Sequence, residues 1–364
     1  MHVIRSIGID PGTKSFDICG IEEEKDEIKV FLEESIPSEI LAKEPELIIE
    51  IIEKNEPIDS IVASSGYGIT LKSIREMTEE DKKLVILVKE EDPGIPVLKG
   101  LPKLLKLLSK FNTNIYMIPA IIQLPTIPYY RKLNKIDMGT ADKLCINALT
   151  IYDQAKELGI NYDETNFILI EMGYAYNALS AVKNGKIIDG IGGTNSVISF
   201  KSMGAIDGEV AYLLGDFKKE ILFKGGISDL IKSEDPTKIF ENEIAKEAFF
   251  EGIEKMVAML LVSLGYPKEI LISGRLSNNE LIFNEAKKRL RKYSKVRKVK
   301  GFSNKVKEAA QGAAIIANGL ANGKFKRIVE ILELKNSKNS VIDFVSVLEK
   351  KDIMEKLKSI EINL

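Results

Sequence analysis

A strand–turn–strand unit with an acidic residue at its turn occurs twice in this chain, and it limits the available folds more than any other feature. In the first copy, Ile7–Ile21, an apolar run ends in Asp10-Pro11-Gly12, and apolar residues resume at Phe16. In the second copy, Phe167–Val182, the corresponding turn holds Glu171-Met172-Gly173. Branched apolar residues before each turn favour strands, and Pro and Gly favour the turn itself. The repeat therefore predicts two similar β-hairpins in two α/β units.

The first turn suits a phosphate ligand. Glycine lets a ligand approach the backbone closely, so the amides of this turn can point at phosphate oxygens. Asp10, at the end of the strand, can hold hydrated Mg²⁺, which prefers carboxylates and retained waters. A polar turn without a ligand explains one short motif equally well, but the second copy favours the ligand. The residues expected to contact phosphate here are Gly12, Thr13, Lys14 and Ser15.

Length and composition exclude several classes of protein. A chain of 364 residues with 45% apolar residues should form two domains. Its net charge of -2 gives no general attraction to nucleic acid or acidic membranes, and packing positions interrupt the basic run at 287–300. Cys19 and Cys145 have no metal-type spacing, and no apolar run is long enough to span a membrane. We therefore expect a cytoplasmic protein that acts on a small molecule, without nucleic acid or membrane partners. The composition is compatible with either a monomer or a homodimer.

Three further segments place small or polar residues at predicted element ends. A buried strand leads into a loop with Gly66, which either lines a cleft or only turns the chain into a helix. Thr140 is a predicted N-cap of a helix that Gly159 ends. Asp142, in its first turn, either complements the helix dipole or has a functional role. The glycine-rich stretch 189–209 can admit a ligand close to the backbone.

Most of the remaining chain reads as helix. Proline-rich loops surround a short predicted helix over 101–111, and longer helices are predicted over 242–264 and 341–360. Between the last two, a predicted strand ends at Gly274, and a helix rich in Ala and Gly covers 309–314.

In this order, the motifs resemble those of the superfamily that contains acetate and sugar kinases, heat-shock ATPases and actin. The resemblance implies an α/β fold of two duplicated actin-like (ribonuclease H-like) domains, with mixed sheets around a central nucleotide cleft. It implies an N-terminal domain over 1–160 and a C-terminal domain over 161–364, with the last helix crossing back to the first domain. It also implies phosphoryl transfer with ATP and Mg²⁺ as cofactors.

The same resemblance implies roles for individual residues. Catalytic roles fall to Asp10, Asp142, Glu171 and Arg131, and the metal falls to Asp10 and Glu171. Beyond the first turn, nucleotide contacts are expected at Gly173, Gly274, Arg275 and Gly312. Acceptor contacts are expected at Gly66, Gly193, Thr194, Asn195 and Asp207.

At a finer level the chain is similar to an uncharacterised archaeal family described as predicted butyrate kinases, which implies a short-chain carboxylate as phosphoryl acceptor. The only histidine is His2, so the active-site histidine of acetate kinase has no counterpart. Arg131, Lys14 or Asn195 would have to supply its charge or hydrogen bonds. Tyr174 also follows the second turn where many relatives carry Gly, Thr or Ser.

Two other functions stay open at this point. An alcohol acceptor such as a sugar or pantothenate would need a general base, and Asp142 or Glu171 can serve. A nucleotide-binding switch, or an inactive relative that signals through domain closure, would use the same turns without transferring phosphate.

Overall fold

The computed structural model describes residues 3–12, 14–24, 27–63, 66–92 and 103–359, and its framework is a pair of mixed β-sheets. The first sheet has the strand order β3-β2-β1-β4-β6-β5. Its strands are β1 Arg5–Pro11, β2 Ser15–Glu24, β3 Glu27–Pro37, β4 Ser60–Ala63, β5 Lys72–Ser73 and β6 Asn114–Met117. The second sheet has the order β11-β10-β7-β8-β9. Its strands are β7 Asn166–Met172, β8 Asn177–Lys183, β9 Lys186–Ile191, β10 Glu269–Ser273 and β11 Lys295–Lys298.

The two sheets repeat one topology. In each, an antiparallel three-stranded meander continues into two parallel strands, so that β1, β2, β3, β4 and β6 correspond to β7, β8, β9, β10 and β11. Both meanders also shift register in the middle, at Gly20/Ile21 and at Ala181/Val182. The prediction of two α/β units built on similar hairpins is confirmed.

Helices cover the sheets. In the first half they are α1 Ser38–Lys43, α2 Glu46–Lys54, α3 Glu79–Ile86, α4 103–108, α5 Tyr129–Lys132 and α6 Ala141–Leu158. In the second half they are α7 Gly208–Leu214, α8 Ile227–Ile231, α9 Glu243–Leu264, α10 Glu280–Leu290, α11 Glu308–Leu320, α12 Lys326–Ile331 and α13 Lys350–Lys356.

Several helix ends follow the signals in the sequence. Gly159 ends α6 with φ 64°, a left-handed conformation that glycine adopts without strain. Asn242 caps α9, because its side chain accepts a hydrogen bond from the amide of Ala245. The last helix is shorter than the predicted 341–360: only α13 is helical, and the residues before it form turns. The predicted helix over 101–111 lies partly outside the described residues.

The Ala- and Gly-rich helix α11 completes the first half of the molecule, although it comes late in the chain. It packs against β1, β2, β4 and α6. A Cβ on Gly8 of β1 would lie 2.1 Å from the carbonyl oxygen of Ala310, and one on Gly312 would lie 1.8 Å from that of Cys145. Both glycines are therefore required by close backbone contact.

The C-terminal segment also returns to the first half. The amide of Glu90 donates to the carbonyl of Lys356 at 3.0 Å, and the amide of Lys358 donates to that of Val88 at 2.8 Å. The segment after α13 thus forms a β-bridge with the residues that follow α3. In the described part of the chain, no helix has the length and apolarity needed to cross a bilayer.

Candidate functional site

A cleft of about 830 Å³ runs between the two hairpins. The turns β1–β2 and β7–β8 enter it from opposite halves, and the start of α6 lies between them. At one end the walls come from the residues after β10 and β11 and before α11, and at the other end from the loops around Tyr67 and Gly193. The cleft is large enough for two small ligands.

The first hairpin brings a buried pair of acids together beneath the cleft. Asp10 lies opposite Asp17 in the β1–β2 register and is only 5% exposed. Burial raises the pKa of Asp10 to about 6, which the ammonium of Lys307 partly opposes. The Nζ of Lys307 lies 3.4 Å from Oδ2 of Asp10 and 2.9 Å from Oδ2 of Asp17. A desolvated carboxylate of this kind gains from a further cation in the cleft.

The second cluster joins α6 to the second hairpin. The Nζ of Lys143 lies 2.5 Å from Oδ2 of Asp142 and 3.2 Å from Oε2 of Glu171. Burial raises the pKa of Glu171. Burial also acts to raise the pKa of Asp142, but the charge and hydrogen bond of Lys143 and a hydrogen bond from Thr140 outweigh it, and the net shift is downward. Asp142 is therefore held as an anion.

The two turns meet across the cleft. The ammonium of Lys14, on the first turn, lies 3.5 Å from the ring centroid of Tyr174, on the second. A Cβ on Gly173 would lie 2.6 Å from the carbonyl oxygen of Tyr176 and 2.9 Å from Oε1 of Glu171, so a side chain does not fit there. Tyr174 thus provides a cation–π contact between the halves.

One end of the cleft is rich in positive charge. Gly274 follows β10 with φ 91°, and a Cβ there would lie 2.6 Å from the carbonyl group of Met172, so only glycine fits. Polar groups around it come from Arg275, Ser277 and the loop before α11. The basic side chains that line this part of the cleft and its centre are Lys14, Lys143, Arg275, Lys298, Lys305 and Lys307. Such a wall suits a polyanionic ligand, including a nucleotide.

The opposite end of the cleft has an apolar, largely aromatic wall and a polar side. Its apolar wall consists of Tyr67, Val85, Ile86, Tyr176 and Phe223. Its polar side is organised by Asp137, whose Oδ2 accepts hydrogen bonds at 3.0 Å from both the amide and the hydroxyl of Thr194. A Cβ on Gly192 would lie 1.7 Å from Oδ1 of Asp137, so glycine is needed for this loop to close on the acid.

Most of the predicted site residues line this cleft. The residues that do so are Asp10, Gly12, Lys14, Ser15, Gly66, Asp142, Glu171, Gly173, Gly193, Thr194, Gly274 and Arg275. Thr13 lies outside the described residues.

Four predicted site residues do not line this cleft, and their roles stay predictions. Arg131 donates to the carbonyl of Ile188 at 2.7 Å and approaches Asp189, so it fastens α5 to β9. Gly312 is buried where α11 contacts α6, because the late helix packs on the first sheet and not behind Gly274. Asn195 and Asp207 are exposed to solvent outside the cleft lining, and Asp207 caps α7.

Several charged residues of the cleft were missed. Lys143 directly follows Asp142, and Lys307-Glu308 directly precede the Ala-rich stretch 309–314. Their position next to these two predicted motifs is the signal that could have identified them. Burial raises the pKa of Glu308, which also faces the two acids of the first hairpin. Asp137 and Lys219 carried no signal, because only the tertiary fold brings their segments to the cleft.

The donor set fits a hydrated magnesium ion better than a fully protein-bound one. Within the described ranges, no group of three potential ligands is placed to hold a metal. Mg²⁺ usually takes one or two carboxylates and keeps several waters, and Asp10 can supply such a carboxylate. Glu171 already forms an ion pair with the ammonium of Lys143, which would compete with a metal ion. Its role as a second metal ligand therefore stays a prediction.

These features define a protein with two actin-like domains and a ligand cleft between duplicated hairpins. The fold is similar to that of acetate kinase from Porphyromonas gingivalis, with a TM-score of 0.57 and 16% identity over 85% of this chain and 98% of that one. It is also similar to acetate kinase from Entamoeba histolytica, with a TM-score of 0.55 and 16% identity over 79% and 86% of the two chains.

The chain belongs to the family described as "Protein of unknown function (DUF1464)", whose model matches residues 8–347. No curated protein matches the sequence.

Proposed function

We propose that the protein is an ATP-dependent phosphotransferase that phosphorylates a small carboxylic acid, with butyrate and similar short-chain acids as first candidates. One observation carries this proposal: two neighbouring clusters of partly buried charge, Asp10–Lys307 and Asp142–Lys143–Glu171, converge where the two turns face each other. The fold likeness to acetate kinases supports the same chemistry.

The charges suit stabilisation of a transferring phosphoryl group. Phosphoryl transfer depends mainly on positioning and on neutralising the phosphate oxygens. Lys143, Lys307 and Lys14 bring three ammonium groups to the centre of the cleft. In this proposal they supply the positive charge that a histidine supplies in acetate kinase. Mg²⁺ at Asp10 would add positive charge to the same phosphate oxygens.

The lowered pKa of Asp142 disfavours it as the general base that an alcohol acceptor would need, whereas Glu171, whose pKa is raised, keeps that role open. A general base works best when its pKa lies near the operating pH, but the pKa of Asp142 is shifted downward by Lys143 and Thr140. A carboxylic acid loses its proton far below neutral pH and needs no such base. In this proposal Asp142 holds Lys143 in place, and Lys143 faces the reacting phosphate.

Hydroxamate trapping tests this proposal. Incubation with ATP, Mg²⁺ and acetate, propionate, butyrate or branched acids should yield an acyl hydroxamate, and Lys143→Met should abolish it. Phosphorylation of a sugar or pantothenate, with no hydroxamate from any acid, would assign the chain to an alcohol kinase. Nucleotide binding with no transfer to any acceptor would favour the switch.

A further inference from the structure

A strap from the second half closes the aromatic end of the cleft. This strap, residues 205–225, leaves the second domain at a β-bridge between Ser202 and Gly225, and it contains α7 and a 3₁₀ turn, Lys219–Phe223. None of its residues is buried. Its 3₁₀ turn nevertheless reaches the first half, and both Lys219 and Phe223 line the cleft.

The ammonium of Lys219 crosses to the end of α3. Its Nζ donates to the carbonyls of Ile86 at 2.9 Å and Leu87 at 2.7 Å, and it lies 4.6 Å from the ring centroid of Tyr67. Its backbone amide donates to Asp92. Two of the three ammonium hydrogens are thus used by carbonyl groups, and one is left for a ligand.

This ammonium has no ion-pair partner among the described residues, since none of their carboxylate oxygens lies within 4.0 Å of its Nζ. Desolvation lowers the pKa of Lys219 to about 8, against weaker opposing effects of Asp92 and Asp137. Charges withdrawn from water are normally paired. A cation that lines a ligand cleft with no carboxylate in direct contact indicates that the ligand supplies one.

We propose that Lys219 binds a negatively charged group of the acceptor and thereby selects acids over neutral alcohols. This inference rests on the proposed function, because it concerns the acceptor of the same reaction. The shared chemistry is a carboxylate. It is either the one that receives the phosphoryl group or a second one at the far end of a dicarboxylic acid, with the apolar wall holding the carbon chain between.

The competing explanation is that Lys219 only caps the carbonyls at the end of α3. The chain offers a control in Lys132, a buried lysine whose pKa is likewise lowered to about 8. Its Nζ donates to the carbonyl of Leu124 at 2.8 Å and lies 5.0 Å from the ring of Phe344, outside the cleft. Lys219→Gln and Lys132→Gln each remove one charge and keep a donor for the carbonyl.

The test is calorimetric binding of butyrate and of succinate to the full chain with ADP and Mg²⁺. Lys219→Gln should weaken binding of at least one acid roughly ten- to a hundredfold, while ADP affinity stays constant. Lys132→Gln should change neither, and Lys219→Arg should restore most of the affinity. Loss confined to succinate assigns Lys219 to a second carboxylate, and loss for butyrate assigns it to the reacting one.

The inference would be overturned if wild type and Lys219→Gln bound the acids equally well, or if both glutamine variants lost affinity equally. It would also be overturned if the wild type bound neither acid. The result is separable from the proposed function. Acids that bind through Lys219 without hydroxamate formation would leave the anion site intact and remove the transfer activity. If the protein turns over an acid and Lys219→Gln leaves the KM for that acid unchanged, the transfer activity stands and the anion site at Lys219 is refuted.

Discussion

Asp10 carries the sharpest prediction at the scale of single residues. Asp10→Asn keeps the size of the side chain and removes the charge that would hold the metal, so Mg²⁺-dependent turnover should fall by roughly two or more orders of magnitude. ADP affinity should change far less, because the turns and the basic wall supply the other contacts. Steady-state kinetics and ADP calorimetry measure the two effects, with the exposed Asp207→Asn as control. An equal loss of ADP binding and turnover would contradict the metal assignment.

Lys143 should be as important for stability as for activity. Lys143→Met leaves Asp142 and Glu171 as neighbouring half-buried acids without their shared cation, and leaving desolvated groups unpaired costs roughly 1–3 kcal/mol. Urea unfolding should show this loss. Neutralising both acids as well, with Asp142→Asn and Glu171→Gln, should recover much of the stability but none of the turnover. A stable Lys143→Met protein would show that the cluster is more hydrated than its geometry indicates.

Lys132 predicts a pH dependence of stability unrelated to the cleft. Its folded-state pKa of about 8 lies below the usual 10.5 because of desolvation. Between these values the unfolded chain holds a proton that the folded chain has lost, so this lysine makes stability rise with pH. The unfolding free energy of wild type relative to Lys132→Met should therefore increase by more than about 1 kcal/mol from pH 8 to pH 10. A constant difference across this range would refute the shift.

At the scale of elements, the contact between α11 and α6 is the least tolerant of change. A methyl group at Gly312 would overlap the backbone carbonyl of Cys145, which cannot move without shifting α6. Gly312→Ala should therefore lower the unfolding free energy by roughly 1–3 kcal/mol or more. Gly208→Ala, at the start of α7 where a Cβ meets nothing within 4 Å, should have little effect in the same urea titration. Equal stability of both variants would mean that the helices separate easily.

The elements that were predictable from the sequence depend on local patterns. The hairpins, α6 and α9 follow from apolar spacing and from the residues at their ends, and the acids at both turns follow from the repeat. Arg131 lies outside the cleft lining, because position along the chain does not determine where a side chain points. Lys219 and the placement of α11 depend on contacts between distant segments, which one sequence without an alignment does not encode visibly.

At the scale of the whole molecule, the two sheets do not divide the chain into two separable pieces. We propose that the domain boundary near residue 160 holds for the sheets but not for the cores, because α11 and the segment after α13 pack on the first half. A fragment of residues 1–160 should therefore lack cooperative thermal unfolding. Mixing it with residues 161–364 should restore a transition in circular dichroism. A fragment that folds alone would show that α11 is dispensable for the first core.

Because α11 comes late in the chain, the first sheet is synthesised well before the helix that covers it. A ribosome adds about 5–20 residues per second, so β1 leaves the tunnel on the order of ten to sixty seconds before the helix that covers Gly8 and its neighbours. During this interval one face of the first sheet has nothing to cover it. The nascent chain must either wait in a loosely collapsed state or be shielded by a chaperone, and the second sheet can complete its core first.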